Sequence, residues 1–205
     1  MQRDTQKNAA VSEKERAVFE AVFRLLGEGR EFHELKVADI AAEAGIGKGT
    51  VYEYFPSKED ILPRAIVYRL EKGFEAADRL LENDAEYPAL IGDLLDGAAK
   101  VFTHASTGAG ALITAILRQG PQKAQGKSKV FALWCAGKMT ELCEKLADRG
   151  KAAGAVRSGI EPEFLRFAFS AAVSAYVQYV GCNASGCSDR KTREYATCMF
   201  LAAVG

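Results

Sequence analysis

The 205-residue sequence has no apolar run of membrane-spanning length and little histidine. A membrane helix needs about 20 mainly apolar residues in succession, and the polar first ten residues do not resemble a secretory signal. The chain has two histidines, and its five cysteines include no C-x-x-C pair. We therefore expect a cytoplasmic protein with no membrane partner, metal, cofactor or catalytic residues.

An excess of charge of either sign is also absent. Lys plus Arg and Asp plus Glu both number 27, which argues against a generally basic nucleic-acid binder. Residues 1–64 carry ten basic and twelve acidic side chains, so this part has no basic excess of its own. Any contact with nucleic acid must come from the local placement of a few cations.

Alternating β-branched runs, which are typical of strands, do not occur, and most of the chain follows helical periodicity. The sequence therefore predicts an all-α fold, with a capping box at Ser12 and Glu15 opening the first helix. We place a domain boundary near residue 64, between a three-helix head (1–64) and a larger helical body (65–205). The predicted helices cover residues 12–26, 36–44, 48–55, 57–84, 88–103, 109–119, 128–153, 161–181 and 190–203, with loops at 122–127 and 182–189.

The stretch GIGKGTVYEYFPSKED, residues 45–60, combines a glycine-containing turn with a short helix and a second helix start. Two short helices joined in this way form a helix-turn-helix, whose second helix enters the major groove of DNA. Val51 and Phe55 would hold helix 48–55 to the head and leave its other side outward. The outward residues suit DNA, since lysine and tyrosine reach phosphates, threonine reaches base edges and glycine permits close approach: Lys48, Gly49, Thr50, Tyr52, Tyr54 and, at the next helix start, Lys58. The alternative is that the tyrosines are half-buried packing residues.

Ile40-Ala41 and the segment EAGIGKGTVYEYFPSKEDIL closely resemble the signature of the TetR/AcrR family of bacterial transcriptional regulators. The resemblance covers about residues 12–62 and implies a nine-helix, dimeric fold. By position it makes the outward residues of helix 48–55 the recognition contacts, and Lys58 a phosphate contact at the start of the fourth helix. The chain departs from the family at Lys36-Val37, where Thr is usual, at Gly47, often Ser, and at Glu31, usually Gly. Lys36 is the candidate replacement for a phosphate contact of that threonine, and Gly47 is counted with the DNA contacts.

The resemblance also implies that the last two helices form a four-helix interface with their copies in a homodimer. Residues 161–179 are rich in small side chains, which let helices approach closely. The expected interface residues are Phe164, Phe167, Ala168, Ala171, Ala175, Tyr195, Met199 and Ala202. The alternative is that the two helices pack only within one protomer.

An effector pocket among the middle helices is a further implication of the resemblance. It would take a small apolar or amphipathic molecule, and each apolar candidate would also suit an ordinary core. The candidates are Phe102, His104, Ile116, Phe131, Trp134, Met139 and Gln178, with the histidine and the glutamine as polar partners.

These patterns predict a ligand-responsive transcriptional regulator, chiefly a repressor, that binds near-palindromic double-stranded operator DNA as a homodimer and leaves it when an effector binds. An activator role stays open. An enzyme is disfavoured, because no nucleophile, base and orienting group occur together. Two further functions stay open: a helical effector-binding or interaction module that does not bind DNA, and a regulator that senses redox state through thiols such as Cys182 and Cys187.

Overall fold

The computed structural model describes residues 11–102, 126–181 and 189–205, and the regular structure of those residues is entirely helical. This confirms the predicted all-α class. The described residues form eight α-helices: α1 (Glu13–Gly27), α2 (Val37–Ala44), α3 (Lys48–Tyr54), α4 (Ile61–Leu81), α5 (Tyr87–Phe102), α6 (Gly126–Ala152), α7 (Pro162–Gly181) and α8 (Asp189–Val204), with a 3-10 turn at Lys58–Asp60.

The predicted helix boundaries differ from the observed ones at a few positions. Residues 126 and 127 belong to α6, although the sequence placed them in a loop, and α8 begins at Asp189, one residue before its predicted start. α4 ends at Leu81, three residues early, where Asn83 Oδ1 accepts a hydrogen bond from the amide of Ala85 and turns the chain. The predicted helix 109–119 and the loop residues 182–188 lie outside the described residues. No described helix is long and apolar enough to cross a membrane.

The chain divides into two compact units, one ending at Tyr68 and the other beginning at Arg69, so the division falls within α4. The first unit is built on α1. Its capping box is present as predicted, with Ser12 Oγ accepting from the amide of Glu15 and the Glu15 carboxylate accepting from the amide of Ser12. Phe19 on the apolar side of α1 meets Phe55 in the core of the unit, and the two ring centroids lie 5.6 Å apart in an edge-to-face contact.

The second unit has one continuous core formed by α5, α6, α7 and α8. Phe169 of α7 and Phe200 of α8 meet edge to face at 5.7 Å, and both are buried. Tyr87 opens α5 inside this core and donates its hydroxyl proton to the carbonyl of Leu146, at 3.1 Å. The ring fits there because position 150 of α6 is a glycine: an added Cβ would lie 2.7 Å from the tyrosine oxygen.

Polar contacts join the helices of this unit at its edges. Arg149 donates to the carbonyls of Leu81 and Ala85, at 2.6 Å each, and so caps the end of α4. Arg193 of α8 pairs with Asp93 (2.5 Å) and Asp96 (3.3 Å) of α5. The absence of a side chain at Gly92 makes room for this guanidinium.

Candidate functional site

The short helix α3 is held to the first unit by one side. Val51 is 1% exposed and Phe55, which ends the helix, is fully buried. The guanidinium of Arg64 lies over the Phe55 ring, 4.7 Å from its centroid, and donates to the carbonyl of Tyr54 at 3.0 Å. Arg64 also pairs with Glu15. The predicted anchors are confirmed, and the arginine that fixes the end of α3 is a contact that no sequence pattern indicated, because its partners are distant in the chain.

The opposite side of α3 carries the predicted recognition residues. Lys48 and Tyr52 are exposed, the latter by 48%, while Thr50 and Tyr54 are half-buried. No ion pair to Lys48 occurs among the described residues. The structure therefore gathers a cation, two phenol groups and a hydroxyl on one short helix, as the sequence indicated.

Three glycines surround this helix, and only one is required by the backbone. Gly45 ends α2 with φ of 69°, in the left-handed region that favours glycine. Gly47 has an ordinary φ of −70°, and a Cβ there would meet nothing closer than 3.8 Å. A Cβ at Gly49 would have no neighbour within 4 Å. Neither the backbone conformation nor the packing therefore requires glycine at Gly47 or Gly49.

The N-terminus of α2 has no capping threonine and is capped by another side chain. Lys36 is the cap residue, with an exposed side chain, and its amide donates to Asp39 Oδ2 at 3.0 Å. The same carboxylate oxygen accepts from Arg30 at 2.8 Å. These two donors, the amide first, hold the pKa of Asp39 below its ordinary value. The cap comes from the third helical residue, so the Lys36 side chain stays available to other partners.

The predicted phosphate ligand Lys58 has hydrogen-bond partners within its own unit. Its ammonium donates to the carbonyls of Phe32 (3.3 Å), His33 (3.0 Å) and Leu35 (3.1 Å) within its own unit. An ammonium has three donors, and each has a carbonyl acceptor in this structure. The phosphate contact of Lys58 stays a prediction.

In the second unit, the candidate effector residues are only partly brought together. Trp134 is half-buried on α6, with its ring 5.9 Å from Phe74 and 6.0 Å from Phe131 between centroids. Phe102 is half-buried at the end of α5, and Met139 packs against the core. Two shallow depressions of this unit, lined by residues 157–164 in one case and by residues 81–87 and 149–153 in the other, do not include the tryptophan. His104 and Ile116 lie outside the described residues.

Gln178, the polar effector candidate on α7, has an exposed side chain. It is exposed on α7 and donates its amide to Ser174 Oγ at 2.9 Å. It shares a helix face with Phe167 and Ala171, since these positions are separated by four and seven residues. That face belongs to the expected dimer surface.

Most of the expected dimer residues are exposed on α7 and α8. Phe167 and Tyr195 are 71% and 65% exposed, and Phe164 and Met199 are 40% and 46% exposed. Tyr179, which the sequence analysis did not include, adds another ring at 60%. Ala171 and Ala202 are exposed and Ala175 is half-buried. The prediction that Ala168 lies at the dimer surface is wrong. Its side chain is 7% exposed and part of the core, because its position on α7 faces its own unit.

The described cysteines have contrasting environments. Cys135 and Cys143 are buried on α6, and burial raises the pKa of each thiol to about 12. A neutral thiol is a poor nucleophile. Cys198 is exposed on α8. Cys182 and Cys187, the candidates for a bridge, lie outside the described residues, and no cluster of possible metal ligands occurs in the described ranges.

The helices α2 and α3 form a helix-turn-helix in the first unit, and the regular structure described in the second unit is all-helical. A profile described as "Bacterial regulatory proteins, tetR family" matches residues 20–65. The HTH-type transcriptional regulator EthR of Mycolicibacterium smegmatis is 38% identical over 77 residues, which cover 36% of this chain and 35% of that protein. The chain thus matches only about a third of the length of this curated relative.

Solved structures resemble nearly the whole chain in fold. A TetR/AcrR-family regulator from Thermobifida fusca has a TM-score of 0.67 at 17% identity, covering 93% of this chain and 97% of its own. FadR from Bacillus subtilis, solved in complex with stearoyl-CoA, has a TM-score of 0.65 at 16% identity, covering 93% and 99%. Residues 20–65 thus match the tetR-family profile, and the chain resembles TetR/AcrR-family regulators in fold.

Proposed function

We propose that the protein is a ligand-responsive transcriptional regulator, chiefly a repressor, that binds operator DNA as a homodimer through α3. The observation that carries this proposal is the two-sided construction of α3. Val51 and Phe55 fix it from behind, while its front exposes Lys48 and Tyr52 beside Gly49, which no packing requires. A rigid helix with an exposed cation and an open backbone suits insertion into a groove.

The residues of this interface have distinct proposed roles. Lys48 neutralises a phosphate or donates to guanine, and the hydroxyls of Tyr52 and Tyr54 donate to phosphate oxygens. Thr50 contacts a base edge, and Gly49 permits close approach of the helix. Lys36 binds a phosphate next to the start of α2, since Asp39 already caps that helix.

Two copies of the chain are proposed to pair through α7 and α8. Phe164, Phe167, Tyr179 and Tyr195 are between 40% and 71% exposed. At about 200 Å² for an aromatic side chain, these exposed fractions amount to about 470 Å² per protomer. That is more than half of the roughly 800 Å² which each partner buries in a standard interface. A dimer also supplies the two reading heads that a near-palindromic operator needs.

The effector is proposed to be an apolar or amphipathic molecule that binds beside Trp134. The half-buried cluster of Trp134, Phe74 and Phe131 offers ring surface to such a ligand. The FadR complex with stearoyl-CoA shows that a protein of similar fold binds an amphipathic ligand. The ligand shifts the equilibrium only through a difference in affinity between the free and the DNA-bound protein, which typically amounts to about 1–3 kcal/mol.

A mobility-shift assay with the DNA that flanks the protein's own gene tests the proposed function. We expect a retarded band that excess unlabelled flanking DNA removes and unrelated DNA of equal length does not. Binding only at concentrations where unrelated DNA also binds would identify the interaction module without sequence-selective DNA binding instead.

The effector arm uses the fluorescence of the single tryptophan. A long-chain acyl-CoA, the free fatty acid and coenzyme A are titrated separately, and the expected ligand changes Trp134 emission and releases operator over the same concentrations. Phe102→Ala should weaken this response while leaving operator affinity intact without ligand. If none of the three compounds alters either signal, the effector belongs to another chemical class; if emission changes while operator stays bound, the proposed coupling is wrong.

A further inference from the structure

We propose that Glu53 of α3 is a specificity-determining residue, whose carboxylate accepts a hydrogen bond from the exocyclic amine of a cytosine in the operator. The inference rests on the proposed DNA binding through α3 and adds a residue that the sequence analysis did not include. Glu53 is exposed, and its carboxylate takes part in no ion pair within the part of the chain that the structure describes. The carboxylate is therefore available to a partner outside the chain.

Glu53 occupies the position of α3 that lies farthest from the two buried anchors. An α-helix turns by about 100° per residue, which places Glu53 about 180° from the mean direction of Val51 and Phe55. Gly49, one turn earlier, lies within about 40° of Glu53 on the same side. A Cβ at Gly49 would meet nothing within 4 Å. When the outward side of α3 approaches a groove, Glu53 is therefore the side chain that extends deepest into it.

The other outward side chains of α3 lie on the two flanks of the line through Gly49 and Glu53. Lys48 and Tyr52 are on one flank, at about 100–140° from Glu53. Thr50 and Tyr54 are on the other flank, at about 60–100°. Flank positions face the phosphate strands that border a groove, whereas the middle line faces the base edges on its floor. The lysine and the phenol groups suit the phosphates, and the carboxylate is left facing the bases.

A carboxylate on the floor of the major groove discriminates between bases, because an ionised carboxylate only accepts hydrogen bonds. Guanine presents two acceptors in this groove, and thymine presents an acceptor and a methyl group. Adenine presents its amine beside the acceptor N7, whereas cytosine presents its amine alone. Cytosine is therefore the base that offers the carboxylate a donor without an acceptor beside it. Repulsion from the phosphates makes a carboxylate without such a donor costly, so the same side chain favours cytosine and rejects other sequences.

Selection from a pool of randomised duplexes, followed by competition between single-base variants of the selected sequence, tests this contact. The wild type should select a sequence in which each half-site has a position where cytosine is preferred. Replacement of that cytosine should lower the affinity about 5- to 150-fold, the usual effect of one mismatched base pair. Glu53→Ala should abolish the preference at this position and keep the preferences at all other positions.

Glu53→Gln gives a sharper result, because an amide of nearly the same shape both donates and accepts. Glutamine pairs with adenine through N6 and N7, so the preferred base at the same position should change from cytosine to adenine. Glu20→Ala is the matched control, since it removes an exposed carboxylate of α1 in the same unit. This control should select the same sequence as the wild type.

Three results would overturn the cytosine contact while leaving the proposed function intact. In the first, both Glu53 variants select the wild-type sequence. In the second, the preferences at all positions weaken together, because Glu53 would then hold α3 in place and not read one base. In the third, the change is confined to a position where the wild type prefers another base. A wild type that selects no sequence would instead contradict the proposed function, and the cytosine contact with it.

Discussion

Replacing Gly150 with alanine tests how the second unit packs, because no side chain fits at this position of α6. A Cβ there would clash with Val156 Cγ2 and lie 2.7 Å from the Cζ and the hydroxyl oxygen of Tyr87. Val156 is 4% exposed and Tyr87 3%, so neither can move into solvent. The tyrosine hydroxyl would also be displaced from the carbonyl of Leu146, to which it donates at 3.1 Å.

The size of the effect follows from three opposing contributions. Overpacking of a filled core costs about 1–3 kcal/mol, and a disturbed buried hydrogen bond costs about 0.5–1.5 kcal/mol. Alanine returns about 1 kcal/mol relative to glycine in a helix. The free energy of unfolding should therefore fall by about 1–3 kcal/mol. For a chain of this length, each kcal/mol shifts Tm by about 2–4 °C, so we expect a loss of about 2–12 °C.

Thermal and urea unfolding, followed by circular dichroism, measure this effect against a matched control. Gly97→Ala makes the same substitution in α5, where an added Cβ meets nothing within 4 Å. It should raise the unfolding free energy by up to about 1 kcal/mol. A Gly150→Ala protein as stable as Gly97→Ala would refute the packing described around Tyr87.

Three other outcomes are expected. Ala171→Arg, on the exposed face of α7, should give a monomer in sedimentation and abolish operator binding. The control Ala171→Ser should remain dimeric. An arginine variant that stays dimeric would place the interface elsewhere. Brief iodoacetamide treatment of the folded protein at pH 8 should spare Cys135 and Cys143, because burial shields both thiols and raises their pKa to about 12. The same treatment in urea should label both, and labelling at equal rates in the two conditions would contradict their burial. Partial burial raises the pKa of Glu15, but its hydrogen-bond donors outweigh this and hold it below 4.5. The ionised carboxylate therefore contributes to stability above pH 4.5, and this contribution is lost as the pH falls through the folded pKa. The free energy of unfolding of Glu15→Gln should thus decrease less than that of the wild type as the pH is lowered below 4.5. An equal decrease in both proteins would contradict the role of Glu15.

The helices of the first unit could be predicted from sequence because their signals are local. Ser12 and Glu15 lie three residues apart, and Gly45 directly follows α2. The start of α1 and the end of α2 can therefore be predicted from a few neighbouring residues. The buried pair Val51 and Phe55 follows from helical spacing alone. Such signals determine which side of α3 faces outward, so the exposed candidates for DNA contact could be predicted from the sequence.

The partners of long side chains could not be predicted in the same way. Lys58 bonds to carbonyls more than twenty residues away, and Arg64 pairs with Glu15 across 49 positions. Nothing in the spacing of these residues reveals the contact. The small residues of α7 raise a similar difficulty: Ala168 and Ala171 have the same chemistry, and only the packing of α7 against α5 and α8 buries the first and exposes the second.

The assignment of α3 as the DNA-reading helix is tested by operator affinity between 50 and 200 mM salt, measured for the wild type and Lys48→Ala. Lys151→Ala, which removes one exposed lysine from the end of α6, is the control for net charge. We expect a linear fall of log K with log salt, whose slope is shallower in Lys48→Ala by about 0.9 per protomer, or about 1.8 for a dimer. Lys151→Ala should match the wild type. A Lys48→Ala protein with the affinity and slope of the wild type would contradict the assignment.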